Sequence, residues 1–168
     1  GNKRFTARQD SLPYTVFFEN KAEATAPAQK VVVYDTLRSE SLAIDSFTFG
    51  AVAFGDTSIT TPNDTLAFER EIDLRPDNNL LLSIEGNVNS QTGLITWTFN
   101  SLDPETREPT TDPLAGFLPP NNDAPEGEGS VSYFVDVGGD TGSGTKIGSG
   151  ARIIFDQNDP IDTAIWSN

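Results

Sequence analysis

Alternation of apolar and polar residues with a period of two runs through most of this chain. It is clearest where Ile95, Trp97 and Phe99 are separated by Thr96 and Thr98. A strand with this pattern buries one face and leaves the other in water, which is typical of antiparallel sheets. No window keeps a helical period for more than about two turns, so the sequence predicts an all-β, two-layer antiparallel sandwich. We expect about eight or nine strands, in the regions 13–19, 29–37, 44–54, 65–74, 79–89, 93–101, 129–137 and 145–156.

One long stretch, residues 102–128, interrupts this pattern. It holds six of the eleven prolines of the chain, too many for a paired strand because proline cannot donate to a ladder. Loops of this length are uncommon in compact domains and are usually functional or disordered. Leu114, Phe117 and Leu118 lie in its middle, so we expect these apolar side chains to pin an ordered loop onto the sandwich. A single domain is predicted over residues 12–168, preceded by an arm or linker over residues 1–11.

Charge and composition exclude several classes of function. The chain has 168 residues with a formal charge of −14 and contains no His, Cys or Met. A Ser-His-Asp triad, a thiol nucleophile and a Cys/His zinc site are therefore excluded. Nucleic-acid binding is disfavoured because it is driven by Lys and Arg meeting phosphate, and no segment approaches the ~20 apolar residues of a membrane helix. The acidity is instead suited to binding a hard cation.

Three segments resemble a known family of domains. They are Tyr14–Asn20 followed by Ala24–Leu37, then Asp112–Asn121, and finally Ala151–Thr163. In this order they are similar to the "conserved repeat" Ig-like domains of bacterial surface proteins, a family of unknown function. The resemblance implies an Ig-like β-sandwich, an extracellular or cell-surface location, and a place beside other domains of a larger polypeptide.

Calcium is the candidate bound ion, because Ca²⁺ takes six to eight oxygen ligands from carboxylates, amides and carbonyls of loops. One candidate cluster follows the last long strand and consists of Asp156, Asn158, Asp159 and Asp162. It is not an EF-hand loop, because Pro160 stands at the fifth position. A second candidate cluster lies along the long loop and consists of Asp103, Glu105, Asp112, Glu126 and Glu128. The alternative for both sets is that the side chains form Asx-turns and keep the surface hydrated.

Two kinds of covalent chemistry are conceivable for this sequence, and each has a simpler alternative. Paired carboxylates can hydrolyse glycosides, but pairs occur by chance in a chain with 25 acidic residues. An intramolecular isopeptide bond between Lys30 and Asn158 would suit an Ig-like domain, whereas a lysine at a strand edge ordinarily protects the sheet border. The sequence thus predicts a protein that is not an enzyme.

The leading hypothesis is a non-catalytic extracellular module, serving as a spacer, stalk or adhesion unit of a larger bacterial surface or secreted protein. The alternative is a module that binds carbohydrate or protein through the 102–128 loop. Phe17 and Phe134 are out of phase with the buried positions of their strands, and we expect them to mark a contact with a neighbouring domain.

Overall fold

The computed structural model describes residues 11–37, 42–138, 148–163 and 166–167. Twelve strands follow one another along the described chain, and none of its residues lies in a helix. Consequently no described segment is a helix of the length and apolarity needed to cross a membrane. The strands are β1 (Ser11–Glu19), β2 (Lys30–Thr36), β3 (Leu42–Phe54), β4 (Thr57–Ile59), β5 (Ala67–Asp73), β6 (Leu81–Val88), β7 (Leu94–Leu102), β8 (Glu128–Val137), β9 (Gly148–Ser149), β10 (Arg152–Phe155), β11 (Ile161–Asp162) and β12 (Trp166–Ser167).

Two antiparallel sheets form the sandwich, which confirms the predicted fold class. One sheet has four strands in the order β1-β8-β3-β4, and the other has six in the order β11-β10-β2-β7-β6-β5. The ten strands of these sheets slightly exceed the eight or nine predicted. The short strands β4 and β11 were not predicted, and the region 145–156 contains two short strands, of which β10 belongs to these sheets and β9 does not. A separate two-stranded ribbon joins β9 and β12.

Alternation in the sequence places the core between the sheets as predicted. Trp97, Phe99 and Ile95 on β7 are fully buried, and they face Val131, Tyr133 and Val135 on β8. Rings from the two sheets meet directly: Phe49 and Trp97 lie edge to face with centroids 6.1 Å apart. Each fully buried side chain of this size contributes about 1.5–3 kcal/mol relative to an exposed one, so the alternation accounts for the layering.

Two of the connections between the sheets run side by side. Strand β1 pairs with β8 and strand β2 pairs with β7, so the 20–29 connection lies against the 103–127 loop. Ala28 and Leu118 form an isolated β-bridge between the two connections. The Pro-rich loop therefore lies beside the 20–29 connection across one end of the sandwich. We call this end, which contains residues 20–29 and 103–127, the loop end.

The described chain both enters and leaves the sheets at the opposite end. Strand β1 begins at Ser11 and reaches the loop end at Glu19, opposite Glu128. Strand β10 runs toward the loop end, and β11 returns so that Asp162 lies opposite Arg152, itself the partner of Tyr34 near the far end of β2. Ser11 and Asp162 therefore share the end of the sandwich away from the 103–127 loop.

Candidate functional site

Asn20 holds the loop end together. Its side chain is 9 % exposed, and its amide nitrogen donates to the carbonyl oxygens of Leu118 (2.9 Å) and Ala26 (3.1 Å). Its backbone N–H donates to the carbonyl of Gly127, and its carbonyl accepts from the N–H of Asn121. One buried side chain thus satisfies backbone groups of both connections, as buried polar groups must be to avoid an energetic penalty.

Apolar contacts fix the middle of the long loop, as the sequence predicted for two of its three apolar residues. Phe117 and Leu118 are buried, and the Phe117 ring stacks on Phe99 at 5.4 Å. Leu114, in contrast, is 71 % exposed, so the prediction that it is buried was wrong. Gly116 passes so close to the carbonyl of Ala28 that a Cβ there would lie 2.5 Å from the oxygen. The close approach explains why the loop has a glycine at this position.

A groove of about 320 Å³ opens at the loop end, between the turn that follows β5 and the long loop. Half of the residues that line the groove are polar and half are not. The polar ones are Asp77, Asn78, Asn79, Asp103, Thr110 and Asp112, and the others are Pro27, Leu80, Leu114, Ala115, Gly116 and Pro119. Three carboxyl groups and no Lys or Arg belong to this lining, so its potential is negative. The exposed Leu114 offers an apolar surface at the same place.

Local hydrogen bonds orient two of the three groove carboxyl groups. Asp103 Oδ1 accepts the backbone N–H groups of Glu105 (2.8 Å) and Thr106 (3.0 Å). These bonds, that of Thr106 first, lower the pKa of Asp103 below its ordinary value, so this group is ionised at neutral pH. Asp112 Oδ1 accepts the N–H of Leu114 over 2.9 Å. Both side chains form the Asx-turns that the sequence left open as an alternative to metal binding.

The second candidate metal cluster is divided by the fold. Asp103 and Asp112 line the groove, and Glu105 is exposed in the turn that Asp103 caps. Glu126 instead accepts the N–H of Asp123, and Glu128 shares the side-chain amide of Asn121 with Glu19.

The first candidate metal cluster has its acidic residues in separate contacts. Asp156 Oδ1 accepts the N–H groups of Lys30 (2.8 Å) and Gln29 (3.0 Å), and so fixes the start of β2. Asp162 pairs with Arg152, whose guanidinium lowers the pKa of that carboxyl. Asp162 lies opposite Arg152 at the first residue of β10, whereas Asp156 follows the last residue of β10, so the two acids belong to opposite ends of this strand.

Asn158 and Asp159 lie in the turn after Asp156, where Asp159 is exposed and the N–H of Asn158 donates to the Phe155 carbonyl. In this structure Asp162 is paired with Arg152 and lies away from the 156–159 turn, so the four residues are not gathered around one point. Within the described ranges no group of three or more acidic side chains is arranged to hold a metal ion. Calcium binding as such stays a prediction.

Sequence reasoning missed the contribution of the turn after β5. Asp77 and Asn78 lie between the predicted strands 65–74 and 79–89, and no role was predicted for them or for Asn79, although the three residues form one wall of the groove. Their polar, turn-forming composition is common to many loops, and the sequence offers no sign that this turn faces residues 103–116.

No protein-family model, curated protein or solved structure matches this chain.

Proposed function

We propose that this protein is a non-catalytic adhesion module of a larger extracellular bacterial protein, and that it presents the groove at its loop end to a ligand. The observation that carries the proposal is the shared position of Ser11 and Asp162, at the end opposite the 103–127 loop. A host polypeptide connected at that end holds the groove farthest from the attachment.

This arrangement favours adhesion over the spacer or stalk function. A stalk unit adds its own length to the chain when the polypeptide enters at one end and leaves at the other. Here a pulling force on the two connections to the host would act at one end of the sandwich, and the first strand pair to bear it would be Ser11–Asp136. The strand β1 would then be peeled from β8 one residue pair at a time, so the pairs would not share the load.

The chemistry of the groove indicates which ligands suit it. Its carboxyl and amide groups accept hydrogen bonds, and the exposed Leu114 can pack against an apolar surface. Sugar hydroxyl groups and the basic side chains of a protein both fit this combination, whereas a polyanion is repelled. The proposed function therefore joins two hypotheses from the sequence: an adhesion unit, and a module that binds carbohydrate or protein through the 102–128 loop.

The extracellular location and the Ig-like relationship are proposals that rest on the sequence resemblance. The antiparallel sandwich supports an Ig-like relationship. The strand order differs from the constant-type order, however, in which the first two strands are neighbours in one sheet, since β1 and β2 lie in different sheets.

The experiment measures binding of the domain to three immobilised probes at about 0.15 M salt: mannan, alginate and poly-lysine. We expect mannan or poly-lysine to bind and alginate, a polyanion, not to bind. Leu114→Ser and Asn79→Ala alter the groove. Leu94→Ser alters another exposed leucine at the opposite end, where Leu94 pairs with Thr36.

The proposal predicts at least a tenfold loss of affinity in the groove variants and an unchanged affinity in the Leu94→Ser control. Equal losses in all three variants, or binding to none of the probes, would contradict it.

A further inference from the structure

Strand β1 has one hydrogen-bonding edge that no described strand covers. It is the last strand of its sheet, and its register with β8 is continuous from Ser11 to Glu19. Just beyond it the N–H of Asn20 donates to the carbonyl of Gly127, the next pair in that register. Because backbone groups alternate in direction along a strand, the even-numbered residues face β8. The N–H and C=O groups of the odd-numbered residues therefore point outward.

This edge lacks most of the protection that natural sheets place on exposed edges. In β1 the only charged residue is Glu19 at its end, whereas the edge strand β5 carries Glu69, Arg70, Glu71 and Asp73. Charges, bulges and short length normally prevent edge-to-edge pairing. Pro13 is the one residue within the strand that protects this edge, because it has no backbone N–H and so removes one outward-pointing hydrogen-bond donor. In a chain with a net charge of −14, this edge strand thus carries a single charge, at its last residue.

The outer face beside this edge is apolar at two places. Phe17 is 73 % exposed and Phe134 is 41 % exposed, as their phase in the sequence predicted. Phe134 lies opposite Pro13, and Phe17 lies opposite Ser130. The two exposed rings thus lie at different positions along β1, on the same side of the sheet.

We propose that β1 pairs antiparallel with β1 of a second copy of this chain, about a twofold axis at Thr15. In this register residue 13 of one copy lies opposite residue 17 of the other. Pro13 of each copy, which already lies opposite its own Phe134, then also lies opposite Phe17 of the second copy, so the exposed Phe17 ring gains an apolar neighbour. At the axis the two Thr15 side chains are directly opposite each other, a favourable cross-strand pair.

The acidic residues permit this register. In this register Glu19 lies opposite Ser11 of the second copy. On the far side of that Ser11 lies its own partner in β8, Asp136 of the second copy, which is the acid nearest to Glu19 in that direction across the sheet. Two strand spacings separate Glu19 from it, about 10 Å, which equals roughly one Debye length at 0.1 M salt. The acidic side chains nearest to the axis are thus kept apart. Because each copy has a net charge of −14, added salt should screen the remaining repulsion between the copies and strengthen the pairing.

The pairing has a consequence for attachment. A host polypeptide that continues beyond Ser11 and Asp162 would be attached to each copy at the end where these residues lie, and antiparallel β1 strands place those ends on opposite sides of the dimer. Two molecules carried by different hosts can therefore bind each other through this edge. The inference uses a surface separate from the groove, so it stands independently of the ligand proposed above.

Sedimentation velocity on the full chain, from about 10 μM to about 1 mM, tests the pairing, since a small interface of this kind is expected to be weak. We expect a concentration-dependent dimer. Thr15→Lys and Thr15→Glu each place like charges at the axis and should weaken dimerisation several-fold, whereas an equimolar mixture of the two should restore it as a heterodimer. Phe17→Ser should weaken it at least tenfold.

Asn87→Lys and Asn87→Glu are the matched controls, because Asn87 is exposed on the six-stranded sheet. They should leave the dimer unchanged, and thermal melting should show that all variants are folded. A wild-type chain that stays monomeric at 1 mM, with or without added salt, would overturn the proposal. So would a mixture of the two Thr15 variants that associates no better than either alone.

Discussion

Tyr133 donates its hydroxyl hydrogen to Oδ2 of Asp35 across the interior of the sandwich, over 2.7 Å. The two residues are 98 positions apart and belong to different sheets, β8 and β2. Asp35 is 2 % exposed, and its Oδ1 also accepts the N–H of Thr36. This hydrogen bond joins the two layers at a polar group within an otherwise apolar core.

Removing the Tyr133 hydroxyl should destabilise the protein. Because the buried Asp35 loses one of its hydrogen bonds, Tyr133→Phe should cost about 1–3 kcal/mol of unfolding free energy, measured by urea denaturation. Tyr14→Phe is the matched control: Tyr14 stacks on Tyr133 at 5.0 Å and is only partly buried. We expect a smaller loss there. Equal losses would mean that the hydroxyl bond to Asp35 adds no stability.

Asp156 should matter as the residue that fixes the start of β2. It has a φ of +49° and accepts two backbone N–H groups of the 29–30 segment. Asp156→Ala should cost about 0.5–1.5 kcal/mol, since water replaces these exposed bonds in part. Asp156→Asn keeps an acceptor and tolerates the positive φ, so it should be nearly neutral. Asp159→Ala, in the same turn, should stay within about 0.5 kcal/mol of wild type.

The contact between Asp73 and Arg75 should be visible in a titration. The side-chain hydrogen bond from Arg75, with a backbone bond from the same residue, lowers the pKa of Asp73 to about 2. Because this folded pKa is below the unfolded value near 3.9, the contact stabilises the fold above about pH 4. That contribution is lost as the pH falls toward 2.

Carbon-detected NMR of the Asp73 carboxyl group measures its midpoint directly. Arg75→Gln should raise the midpoint toward the ordinary value for aspartate. A wild-type midpoint near 4 would show that the pair does not persist in solution.

Divalent ions should act on this protein mainly through its net charge. Asp156 and Asp162 are held in separate contacts, so we expect Ca²⁺ and Mg²⁺ at millimolar concentrations to raise the melting temperature equally, by screening. NaCl at matched ionic strength should reproduce most of the shift. A larger shift in Ca²⁺ alone, lost in Asp159→Asn, would instead establish the calcium site that the sequence predicts at the 156–162 turn.

Short-range patterns in the sequence were enough to predict the layers of this protein. Period-two alternation placed Trp97 and Phe99 in the core and left Phe17 and Phe134 outside, because the side chains of a strand point alternately to its two faces. Gly93 stands between two strongly alternating segments, and it has a φ of +74°, a conformation that glycine adopts without steric cost in a turn. These properties depend only on neighbouring residues along one strand.

The candidate site could not be predicted in the same way. Asp162 was grouped with Asp156 because they are close in sequence, yet the hairpin turns Asp162 back toward Arg152. The wall of the groove around Asn79 faces a loop that lies more than twenty residues away in the chain. Which polar groups meet at a sheet end depends on strand order and on the path of connections, neither of which leaves a periodic signal.

The sequence by itself determined that this chain forms strands, which faces of them are apolar, and where the strands are interrupted, since each depends on local steric preferences and on the burial of one face. Only the tertiary structure decided that Ser11 and Asp162 share one end, that Asn20 joins two distant connections, and that the β1 edge is open. Those relationships arise from long-range strand pairing, in which many registers are compatible with the same alternation and the packed core selects one.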